Sequence, residues 1–129
     1  MKALEHLHKE SCYRGDIKEW VVHVAPDVLW YRVEDVGSYQ GSVYGVGSYR
    51  RRILLYFDYY GSCGGCGAWG EGGGPDTQAD LLKKSSTFSS VSGAVRAWDE
   101  ETKHRGEVPE REPFIQAIIQ AIKAAWRPR

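Results

Sequence analysis

The chain has 129 residues, a length that at ~100 to 200 residues per domain fits one hydrophobic core and excludes a two-domain reading. Hydrophobic residues make up 42% and include five Trp, eight Tyr and three Phe, enough apolar surface to exclude wholesale disorder. Seventeen Lys and Arg balance 17 Asp and Glu, so no global field draws the chain to nucleic acid or an anionic membrane; such a partner must be met by a local patch.

Residues 1–10 alternate charge with single leucines and offer no apolar core of a secretory signal. No window approaches the ~18 apolar residues of a membrane span. The expectation is a soluble protein of the cytoplasm, or of the host cytoplasm if the source is viral, with no membrane partner. Asn is absent, Met occurs once and Arg outnumbers Lys, a pattern that leans toward a thermophile, where labile amides are selected against.

Ala3, Leu4 and Leu7 at helical spacing predict a short helix ending near Cys12. The Val-rich run 20–25, with Trp20, Val22 and Val24 on one face and Pro26-Asp27 after it, reads as a strand and turn. Residues 28–36 read as a second strand. Glycines at 37, 41, 45 and 47 punctuate the next stretch, predicting a short strand at 42–46 that is bulged or closely approached, then a turn at 47–51. The strongest strand is 52–60, apolar on both faces and therefore central.

The segment 61–74 holds eight glycines and must be a loop. Pro75-Asp76 starts a helix over 77–85, and Ser89 or Ser90 caps another that places Val91, Ala94, Val95 and Trp98 on one stripe. Residues 102–109 form a charged linker. Pro113 opens a last helix with Ile115, Ile118, Ile119, Ile122 and Trp126 facing one way. That stripe could serve a homodimer or a membrane surface, but its length and Gln-rich polar face suit packing on a sheet. Strands first and helices second, without βαβ alternation, predict a single-domain α+β fold. Its largely antiparallel sheet has a central strand near 52–60 and is covered on one side by helices of the C-terminal half.

Cys63-Gly64-Gly65-Cys66 is the sharpest chemical feature. A two-residue spacer lets both sulfurs converge, and glycines free the backbone so that N–H groups can aim at thiolates, as in a zinc knuckle. If the first helix runs through Cys12, His8 and Cys12 stand at i and i+4 and complete a Cys₃His zinc site with Cys63 and Cys66. The same pair supports a redox disulfide, although no helix follows to lower the pKa of its first thiol. Two plain thiols on a tight turn are the remaining alternative.

Arg50-Arg51-Arg52 stands beside Tyr39, Tyr44 and Tyr49 on an expected hairpin. Such interleaving can hold an acidic partner, or a phosphate backbone with bases stacked on the rings; charged hairpin tips also simply discourage edge aggregation. The Gly-rich loop lacks the GK[ST] ending of a P-loop and the G-x-G-x-x-G of a dinucleotide fold, and no G-x-S-x-G occurs. Glu34, Asp35 and Asp58 could pair as acid and base, but nothing singles them out.

The strings Glu34-Asp35 through Ser38-Tyr39-Gln40-Gly41-Ser42, Tyr60-Gly61-Ser62-Cys63-Gly64-Gly65-Cys66 and Phe88-Ser89-Ser90-Val91 with Ala94, Val95 and Trp98 together resemble a family of small bacterial, phage and archaeal-virus proteins. That family is marked by a YQG strand and a YGSC-x-x-C loop, and no activity is established for it. The resemblance covers about half the chain. Gly64 stands where the family has Ser and Gly67 where it has Asp, so a role played by that Asp is not carried over. The resemblance implies organisation, not chemistry. The sequence is therefore read as a non-enzymatic interaction module of viral or phage accessory type with a protein partner. The alternatives are a thiol-disulfide protein using Cys63 and Cys66, and a nucleic-acid binder using Tyr49 and Arg50 to Arg52.

Overall fold

The apolar alternation of 52–60 places strand β3 (Arg52–Tyr60) inside the sheet, where both its faces are covered. The structure, a computed structural model, describes residues 17–37, 41–60, 75–104 and 108–125. Strands β1 (Leu29–Gly37), β2 (Gly41–Tyr49), β3 and β4 (Ser85–Phe88) lie in chain order as an antiparallel meander, β1-β2-β3-β4. Strand β4 was not foreseen. Its Ser-Ser-Thr-Phe sequence has little apolar alternation, and it is held as an edge by pairing Phe88 with Ile53 and Ser85 with Tyr56.

Because side chains alternate along each strand, the sheet has two apolar faces. On one, Tyr44, Val46, Ile53 and Leu55 pack against α3 (Val91–Thr102) and α4 (Arg111–Ala125). These are the helices expected from the C-terminal half. On the other, Val43, Leu54 and Tyr56 pack with α1 (Ile17–Val24) and with Leu81 of α2 (Gln78–Lys83). Cover on one side only is therefore corrected to cover on both.

The correction begins at 20–25, which is the end of helix α1 and not a strand. Ile17, Trp20, Val21 and Val24 are buried at spacings of three, one and three, while Val22 stays 44% exposed. That is the period of a helix with one face on a sheet; the density of valines had suggested alternation. The indole N–H of Trp20 donates to the Pro75 carbonyl oxygen at 2.9 Å and ties α1 to the chain entering α2. The short helix expected before it, near 3–12, lies outside the described residues.

Strand β2 is longer than expected and runs unbulged opposite β3, from Gly41 opposite Tyr60 to Tyr49 opposite Arg52. The irregularity sits instead in β1, between Trp30 and Arg32. Gly45 and Gly47 lie on the α1 face, where Trp30 occupies the space their side chains would take. A Cβ at Gly45 would fall 2.7 Å from Trp30 Cζ3, and one at Gly47 would fall 2.7 Å from Val28 Cγ1 and 2.9 Å from the Leu29 carbonyl oxygen. The close approach read from the glycine spacing is thus present, made by an indole. Its Nε1 is buried without an acceptor among the described residues.

The helix starts follow their capping signals. Thr77 Oγ1 accepts from the Asp80 N–H at 3.1 Å to cap α2, and Ser90 Oγ accepts from the Gly93 N–H at 3.2 Å to cap α3. Ala94 and Trp98 are buried along α3, with Val91 and Val95 packed beside them. On α4 the buried stripe is Phe114, Ala117, Ile118, Ala121 and Ala125, with Ile115 and Ile122 at its margins. It is rotated from the expected stripe of Ile115, Ile118, Ile119, Ile122 and Trp126, the last of which lies outside the described residues, and its three alanines let the helix sit close over the aromatic cluster. There Phe114 stacks on Trp98 at 4.3 Å and Tyr44 meets Trp98 edge-on at 5.3 Å. Arg111 donates to both carboxylate oxygens of Asp99, at 2.9 and 3.1 Å, and ties α3 to α4.

Candidate functional site

Tyr49 pairs with Arg52 across the β2–β3 hairpin, which leaves Arg50 and Arg51 as its two-residue loop. A two-residue loop that matches strand twist needs positive φ at both positions, which is why Asn-Gly and Gly-Gly are its usual sequences. Here two arginines take that conformation, with φ of 51° at Arg50 and 65° at Arg51. The turn expected over 47–51 is therefore confined to Arg50 and Arg51, and Gly47 belongs to β2 opposite Leu54.

The Arg50 guanidinium lies 5.1 Å from the centroid of the half-buried Tyr49 ring. Arg50 and Arg51 line a groove of about 220 Å³ with Leu29, Ser48, Asp27 and the end of α4 at Ala124 and Ala125. Leu29 is 58% exposed, an apolar surface beside the two cations. Asp27 is fixed at the rim. Its backbone N–H donates to Gln78 Oε1 at 2.9 Å, and Gln78 Nε2 donates to Asp27 Oδ2 at 2.8 Å. Among the described residues neither Arg50 nor Arg51 has a carboxylate within ion-pair distance.

The predicted arginine patch is brought together only in part. Arg52, the first residue of β3, is exposed but does not line this groove. Tyr44, one of the three rings expected beside the arginines, is wholly buried beneath α3 and α4. Alternation explains it: Tyr44 faces the α4 side six residues before Arg50, so it cannot reach a ligand at the tip. Tyr39 lies outside the described residues. So do His8, Cys12, Cys63 and Cys66, and with them the zinc and disulfide expectations. Among the described residues no group of three or more His, Cys, Asp or Glu side chains gathers.

One charged cluster was missed. Asp58 is 7% exposed near the end of β3, where Tyr56 Oη donates to its Oδ2 at 2.8 Å and the Tyr59 N–H donates to its Oδ1 at 2.9 Å. Lys84 Nζ stands 3.4 Å from Oδ1. Burial, with the carboxylate beside it, pushes the Tyr56 hydroxyl far above its ordinary pKa, so it stays protonated and donates. The signal was available: Tyr-x-Asp in a strand sets both side chains on one face. With every oxygen engaged, the cluster fastens β3 to the turn after α2.

Among the described residues no helix is long and apolar enough to cross a membrane. No family model, curated protein or solved structure matches this chain.

Proposed function

We propose that the protein is a non-enzymatic interaction module that holds an acidic segment of a protein partner in the groove beside the Arg50–Arg51 turn. The observation that carries this reading is the pair of left-handed arginines. A hairpin sheds such strain with Asn-Gly, so keeping arginine at both positions makes sense where the guanidinium groups are needed. Unpaired within the described residues, they offer planar, bidentate donors suited to carboxylates.

A protein segment suits the groove better than a nucleic acid does. Leu29 supplies apolar contact that side chains of a protein segment can use, and the buried Tyr44 leaves little to stack on bases. The test is fluorescence anisotropy with labelled poly-glutamate and labelled single-stranded DNA at low and physiological salt, comparing the wild type with Arg50→Asn/Arg51→Gly. Poly-glutamate binding that weakens with salt and disappears in the variant is expected. Equal binding by the variant overturns the assignment to this turn, and DNA binding in preference to poly-glutamate overturns the choice of partner.

A further inference from the structure

The groove beside the Arg50–Arg51 turn is not of one sign. Asp27, in the turn between α1 and β1, lines it together with the two arginines. That turn is closed by the Val28 N–H, which donates to the Ala25 carbonyl oxygen at 3.2 Å. Gln78, the first residue of α2, holds Asp27 by two bonds: its Nε2 donates to Asp27 Oδ2 at 2.8 Å, and its Oε1 accepts from the Asp27 N–H at 2.9 Å. Among the described residues the other carboxylate oxygen, Oδ1, has no partner.

The link to Gln78 does not need a charge. An amide oxygen accepts from Gln78 Nε2 as a carboxylate oxygen does, and the second bond uses only the Asp27 backbone, so Asn would keep both. Nor does the carboxylate neutralise the arginines, because neither guanidinium lies within ion-pair distance of it. One acidic and two basic arms therefore share the groove unpaired, with apolar surface from Leu29, Ala124 and Ala125 in the same lining.

We infer that Asp27 selects the segment: the partner held at the Arg50–Arg51 groove carries a lysine or arginine close to its acidic residues, and that cation pairs with Asp27. The inference rests on the reading of this groove as the dock for an acidic segment, and adds the opposite charge that the segment must also carry. Charge pairs across an interface fix register and reject wrong partners more than they add affinity. A uniformly acidic segment meets repulsion at Asp27, whereas one of mixed sign meets attraction at all three charges. At about 220 Å³ the groove is smaller than the ~300 to 1,000 Å³ of a small-molecule pocket, so it suits a few side chains of a segment passing over it.

Fluorescence anisotropy with labelled peptides of equal length tests the selection. Repeats of Glu-Glu-Leu-Gly-Lys, Glu-Glu-Leu-Gly-Gln and Glu-Glu-Leu-Gly-Glu present their charges in many registers. Wild type is expected to bind the Lys repeat about threefold more tightly than the Gln repeat, the amount an exposed ion pair supplies, although the Lys repeat is the less acidic of the two. Asp27→Asn should lose that preference and bind the Glu repeat more tightly than wild type does. Asp27→Lys should prefer the Glu repeat to the Lys repeat, and it reports on the pairing even if the Asn variant fails to fold. No binding of any repeat by wild type, or equal binding by Arg50→Asn/Arg51→Gly, overturns the dock itself and this inference with it. Binding that needs the arginines but shows no preference for the Lys repeat, or a preference that survives Asp27→Asn, overturns this inference alone.

Discussion

Replacing the two arginines of the β2–β3 turn by Asn-Gly, in Arg50→Asn/Arg51→Gly, should make the protein more stable while removing both of its turn cations. Arg50 and Arg51 sit at φ of 51° and 65°, a region that costs an L-residue roughly 1 to 2 kcal/mol relative to right-handed backbone. Asn recovers part of that cost and Gly nearly all of it, together about 2 to 3 kcal/mol. Against this stand the added freedom of glycine in the unfolded chain, about 0.5 to 1 kcal/mol, and the loss of the exposed Arg50–Tyr49 contact, about 0.5 kcal/mol. The net gain is about 1 kcal/mol, or roughly 3 to 5 °C in melting temperature for a chain of this size. Circular dichroism melts and urea titrations measure it. Arg50→Lys/Arg51→Lys is the control: it keeps the strained backbone, so its melting temperature should stay near that of the wild type. An Asn-Gly variant that melts at or below the wild-type temperature would refute the argument that the turn stores strain.

Ile118 is fully buried on α4, so Ile118→Asp places a carboxylate in the core at several kcal/mol, comparable with the ~5 to 15 kcal/mol holding a domain together. A melting temperature unchanged by it would displace α4 from the sheet. Gly47→Ala should cost about 1 to 3 kcal/mol in urea, because its Cβ meets the Leu29 carbonyl at 2.9 Å and backbone yields poorly. Asp58→Ala strands the buried Tyr56 hydroxyl and should cost about 2 to 4 kcal/mol. The Tyr56 pKa is raised in the folded state, so its contribution is complete below pH ~10 and declines above that as the unfolded chain ionises. Tyr56→Phe should flatten the alkaline fall in stability. The Arg111 hydrogen bonds hold the Asp99 carboxyl below its ordinary pKa. That stability is therefore present above pH ~3.9 and lost as pH falls further, and Arg111→Ala should reduce the acid-side slope measured by denaturant titration.

The parts of the fold legible in the sequence were those with a local physical signature. Two-sided alternation marked β3, the Ser89-Ser90 pair marked the start of α3, which Ser90 caps, and the glycines of β2 marked a close approach. Helix α1 was hidden because Val21, Val22 and Val24 are β-formers by propensity; only the sheet beneath Ile17, Trp20 and Val21 decides their period. Strand β4 was hidden because its order comes from hydrogen bonding to β3 and not from its own apolar residues. At the site, the arginine triplet was visible but its shape was not. Nothing in Arg-Arg announces positive φ; only a spacing of two residues between strands does, and the nearby glycines obscure it.

The meander also sets the order in which the sheet can form. β1 and β2 are joined across residues 38–40, and β2 and β3 across two residues, while β3 reaches β4 only after the span 61–84. Closing the shortest loop loses the least chain entropy, so the β2–β3 hairpin is the cheapest long pairing to make early. Its turn would then already hold both left-handed arginines at the folding barrier. Strain relieved there would appear as faster folding, with the rate of unfolding almost unchanged. On that kinetic reading, the arginines exact their cost each time the chain folds, and the lifetime of the finished protein scarcely registers it.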